Sequence, residues 1–237
     1  MPLLRALLLL LASAALVSAT PADDAALALF QAKKYPEARA AFEQIAAASP
    51  DQAAAHYYLG VLATRRGDTD EAVAQLERAT TLAPANSLYF AELGGAYGSA
   101  AQAAGLFSKL GWAKKCREAL EKSVALDPAN LAARNGLVTF YQQAPGIAGG
   151  GMDKAYAEAA EIRQRDPRLG TTILAQLYVV DKKYDEAFAL LNELLKTSPD
   201  NYVALFCVGR TAAQTGQRID YGEKCLRRCL ELTPAPG

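Results

Sequence analysis

Apolar and polar residues follow one another along this chain with a helical period, broken at intervals by glycine and proline. Between Ala53 and Asn86, Leu59, Gly60 and Ala63 share one helical face, and Ala72, Leu76 and Ala79 share another. Gly67-Asp68 separates the two stretches and Pro84 follows them. The spacing predicts two amphipathic helices joined by a turn. Asp68, with Glu71 three residues on, has the pattern of a capping box and marks the start of the second helix. Gly60 and Ala72 are the small residues at which the two backbones are expected to approach. A pair this short cannot bury its apolar face alone, so copies must stack on it.

The copies are in the sequence. Six times a small residue precedes a proline by twelve positions: Ala38 and Pro50, Ala72 and Pro84, Cys116 and Pro128, Ala155 and Pro167, Ala187 and Pro199, Gly222 and Pro234. Leu59-Gly60 recurs as Leu93-Gly94, Leu137-Val138, Leu174-Ala175 and Val208-Gly209, followed three residues on by Ala63, Tyr97, Tyr141, Tyr178 and Ala212 respectively. The pattern resembles the tetratricopeptide repeat (TPR) family over essentially all of the chain after residue 19. The resemblance implies an all-α, right-handed TPR-type solenoid of about six helix pairs, whose first helices line a concave groove. The repeats are placed at about 20–52, 53–86, 87–130, 131–167, 168–201 and 202–237.

Two repeats carry inserts. Between Tyr97 and Cys116 the third has ten residues more than the second, in a segment that keeps helical periodicity and contains Leu106, Phe107, Leu110 and Trp112. This predicts two lengthened helices projecting beyond the stack, either closed on their neighbours or offering an apolar contact surface. The fourth repeat has Gln143 to Gly151, where one proline and four glycines predict a loop. FYQQAPGIAGG resembles a loop motif of bacterial exported TPR proteins. No strand precedes it and no Gly-Lys-Ser/Thr follows, which argues against a phosphate loop. The expected role is to pack against the projecting helices.

Met1 to Arg5, the apolar run Leu7 to Val17 and the small residues Val17-Ser18-Ala19 have the order of a cleavable signal peptide over residues 1–19. The run is short for a membrane span, and no later run approaches spanning length, so export to the periplasm or cell exterior is expected. The whole chain has zero formal charge, and without Arg5 it carries one net negative charge. It shows no basic stripe, which argues against nucleic acid as partner.

Candidate chemistry is sparse. Cys116, Cys207, Cys225 and Cys229 form no Cys-x-x-Cys pair, and buried free thiols are the favoured reading beside a link from Cys207 to Cys225 or Cys229. His56, the only histidine, has no companions for metal binding or for a nucleophile–base pair. No enzyme, cofactor or metal site is predicted. The expected function is protein or peptide binding along the first helices, through Tyr57, Val61, Arg65, Asn135, Thr139, Gln142, Thr172, Gln176, Phe206, Arg210 and Gln214. The Lys/Asn cluster with which some TPR domains hold a terminal carboxylate is not recognisable. The alternative is a structural homo-oligomer assembled through Leu106, Phe107, Leu110 and Trp112.

Overall fold

The computed structural model describes residues 21–232, with the side chains of Pro21, Leu106 and Phe107 outside the description. The expected leader and Pro234 fall outside the described residues. Twelve helices are described: α1 (Pro21–Gln31), α2 (Tyr35–Ala48), α3 (Ala53–Arg66), α4 (Thr69–Leu82), α5 (Ser87–Ala103), α6 (Leu106–Leu126), α7 (Leu131–Gln143), α8 (Met152–Arg165), α9 (Pro167–Val180), α10 (Tyr184–Thr197), α11 (Tyr202–Thr215) and α12 (Ile219–Glu231). A single 3₁₀ turn, Gly146–Ala148, lies between α7 and α8.

Local chemistry sets the helix ends. The Asp68 side chain accepts from Glu71 N at 3.1 Å and starts α4. Asn86, Asn130 and Asn201 do the same for α5, α7 and α11. In the second and sixth pairs the turn passes through a left-handed residue after the first helix, supplied by Gly67 (φ 77°) and Gly216 (φ 70°). Lys33 and Lys182 adopt it at φ 60° and 59°. Asp166 both ends α8 and caps α9, so Pro167 opens the next helix instead of closing the last one.

Each helix packs on the next, and the first helices also approach one another, α3 with α5, α5 with α7 and α9 with α11. Successive second helices do not meet to that extent, so the stack curves toward the first-helix side. Close approach within pairs requires the small residues. A methyl group added at Gly60, Gly94 or Gly209 would collide with Leu76, Leu120 or Leu226 respectively. Buried Leu76, Leu137, Ile162, Leu191 and Val208 fill the interior behind them. Tyrosines tie neighbouring pairs together: Tyr97 OH donates to Glu77 at 2.6 Å and Tyr141 OH to Glu121 at 3.2 Å.

The third pair is longest, with 17 residues in α5 and 21 in α6 against 14 in each of α3 and α4. The 3₁₀ turn of the following loop rests on α6.

Candidate functional site

Several first helices in the row carry exposed polar side chains. Asn135 and Thr139 on α7, Gln176 on α9, and Arg210 and Gln214 on α11 are exposed, while Val61 and Gln142 are half-buried. Phe206 is 43% exposed and lies parallel to Tyr202, ring centroids 6.5 Å apart. Asn135, Gln142, Arg210 and Gln214 make no side-chain hydrogen bond or ion pair within the described residues. Thr139 donates to the Asn135 carbonyl at 3.0 Å.

Three expected groove residues are otherwise engaged. Tyr57 is buried, its ring stacked on Tyr89 at 4.6 Å, because the next pair carries a large aromatic at the facing position. Thr172 is buried and donates to the Leu169 carbonyl at 2.8 Å. Arg65 is exposed, yet its guanidinium lies 4.8 Å from the Tyr35 ring centroid and 5.7 Å from that of Phe30. Ala91 is buried and Gly95 exposed.

The row also holds residues that the sequence reading passed over. Leu169 and Val203 are exposed apolar residues one turn before Thr172 and Phe206, where the i, i+3 spacing would have found them. Glu92 on α5 is half-buried, and burial raises its carboxyl above the usual range against the opposing pull of Arg65. Burial, followed by the charge of Glu92, pushes the Tyr57 hydroxyl up. Glu92 matches Tyr58 of the second repeat in register, so a charge at an aromatic position was its signal.

The alternative patch is only partly free. Trp112 is half-buried with its ring 5.7 Å from Tyr97, and Lys115 lies 4.9 Å over it. Leu110 is 44% exposed. The side chains of Leu106 and Phe107 lie outside the described residues.

The glycine-rich loop spends its amides on itself. Ala148 and Gly150 N–H donate to the Pro145 carbonyl, Gly149 N–H to Gly146, and Gly151 N–H to Tyr141. Those donors are therefore unavailable to cradle a phosphate. Gly149, at φ 90°, sits against the Arg117 guanidinium in a conformation that favours glycine.

All four cysteines are buried free thiols, and burial pushes Cys116 up to about 11. His56 is tied between the Pro50 carbonyl, 2.9 Å from Nε2, and Gln75, 2.8 Å from Nδ1. Among the described residues no three His, Cys, Asp or Glu groups are placed to hold a metal. No described helix is long and apolar enough to cross a membrane. A shallow recess of about 790 Å³ opens at the loop edge of the stack, between Pro84, Ser87, Leu88 and Asn130, at the start of α5.

Stacked antiparallel pairs with small residues at their crossings agree with sequence models of the tetratricopeptide repeat, which match residues 24–87 and 98–130. The fold is a TPR solenoid. A TPR protein from Parabacteroides merdae superposes with a TM-score of 0.67 at 14% identity, over 90% of this chain and 79% of the other. A thermophilic TPR protein of Thermus thermophilus gives 0.60 at 18% identity, over 87% and 96%. YrrB, described as a TPR protein with an unusual peptide-binding site, gives 0.55 at 20% identity, over 79% and 90%. No curated protein matches this chain in sequence.

Proposed function

We propose that this TPR solenoid is a non-catalytic scaffold that holds a protein or peptide partner along its first-helix groove. One observation carries the reading. Asn135 and Gln142 stand on α7 and Arg210 and Gln214 on α11, first helices of two repeats, and their side chains bond to nothing within the described residues. Packing does not require amide and guanidinium groups at those places. Spaced along a rigid surface, they can satisfy the backbone of an extended peptide without reorganisation, while Phe206 supplies apolar contact. The peptide-binding site ascribed to YrrB supports the same use of the fold.

The test is capture of partners from an envelope fraction, with cross-linking, by wild type and by an Asn135→Ala/Arg210→Ala double variant. Capture should weaken in the variant while its melt stays unchanged, and undiminished capture would move the binding surface elsewhere. The fraction follows from the leader: we place the protein in the periplasm or outside the cell, with its mature chain starting near Thr20. N-terminal sequencing that finds Met1 retained would overturn that placement.

A homo-oligomer through the third-repeat insert keeps one supporting observation, the exposed Leu110. Mass in solution that rises with concentration would favour it.

A further inference from the structure

The projecting end of the third repeat has a composition that neither the core nor the groove explains. From Leu106 to Arg117, α6 carries Lys109, Lys114, Lys115 and Arg117 and no acidic residue. Seven residues longer than α4, it can reach roughly 10 Å further at 1.5 Å per residue. Leu110 is exposed there, and the 3₁₀ turn packed on the same helix leaves Ile147 84% exposed. Lys109 and Lys114 are exposed, Lys114 pairing with Glu118 only at 3.8 Å, and Arg117 lies 3.7 Å from Glu121. Lys115, by contrast, is committed to Glu77 and the rings of Tyr97 and Trp112.

From this arrangement we infer that the third-repeat tip docks onto an anionic lipid surface. Leu110 and Ile147 are exposed apolar side chains, Lys109 precedes Leu110 and Lys114 stands about one turn after it on the same helix, and charge complementarity selects a negative partner. A projection can enter a deformable interface, whereas a peptide needs a groove to lie in. Leu106 and Phe107 open the same helix in sequence, but the inference rests on Leu110, Ile147 and the two lysines.

The experiment uses the full chain with vesicles of phosphatidylcholine, alone or containing phosphatidylglycerol. Sedimentation gives the bound fraction, and Trp112, the only tryptophan in the chain, reports the tip by fluorescence. Wild type should bind the anionic vesicles, shift its Trp112 emission, and release as salt is raised. Lys109→Glu/Lys114→Glu should lower partitioning by at least about tenfold, each basic residue near such a surface being worth roughly a factor of five. Leu110→Asp should lower it as well. The apolar run Leu7–Val17 is common to every arm, so the decisive quantity is the difference between variant and wild type. Both lysines are exposed, so their variant keeps the fold and decides the matter even if Leu110→Asp does not. Equal binding by that variant and wild type overturns the inference. So does an absence of binding at low salt, or self-association that Leu110→Asp abolishes without any vesicle binding.

Discussion

The guanidinium of Arg65 lies 4.8 Å above the ring of Tyr35, joining the second helix pair to the first. A side chain that its register places in the groove is thus a strut between repeats. Arg65→Ala should lower stability by about 0.5–1 kcal/mol, the range of an exposed cation–π contact. Arg210→Ala, from the matching side of the last pair and without a partner, should change it by less than about 0.5 kcal/mol. Denaturant titrations of the two variants side by side check the contrast.

Leu76 and Leu191 are fully buried at equivalent positions of α4 and α10. Leu→Ala at either should cost on the order of 2–5 kcal/mol. Since each repeat touches only its neighbours, hydrogen exchange should accelerate most in the pairs beside the mutation. Uniform acceleration along the chain would contradict a neighbour-coupled stack.

Lys182 stands thirty-four residues before Gly216 and takes the same left-handed conformation, at φ 59°. A side chain costs roughly 1–2 kcal/mol there, partly offset because glycine loses more freedom on folding. Lys182→Gly should therefore stabilise the chain by about 0.5–1 kcal/mol, seen as a rise in Tm. Gly216→Ala should lower it.

Glu92 has a carboxyl raised above its ordinary value, mainly by burial. At pH values between the ordinary and the raised pKa, the folded chain holds a proton that the unfolded chain has released. Its contribution is fully present below the ordinary carboxylate pKa and is lost as pH rises through the raised one. Glu92→Gln removes the charge that burial penalises, so it should stabilise the protein at neutral pH and have no such effect in acid. Melts of both proteins across that window measure the difference, and a gain that persists in acid would assign it to another cause.

The repeating frame was legible because small residues and proline recur at fixed spacing, and backbone approach at Gly60 and Gly94 leaves room for nothing larger. The lengthened α5 and α6 and the glycine-rich loop were legible for the same reason, as interruptions of that spacing. The groove was less so. Register gives the direction in which a side chain leaves its own helix, but not how far the next helix reaches toward it. Tyr57 is covered because Tyr89 reaches back to it, whereas Asn135 is bare where the residue in register with Tyr89 is Gly170. Trp112 turned inward because Tyr97 offered a ring one helix away.

Among the described residues the buried apolar side chains gather into three clusters: one from Ala26 to Leu62, one from Tyr57 to Leu177, and one from Ala175 to Cys229. Helix α9 gives Leu174 to the middle cluster and Ala175 to the last, and Leu190 packs against both. Drawn apart from its two ends, such a chain would not yield all at once. The terminal block beyond α9 would give way as a unit, and the force record would show a step there while the middle of the stack still held.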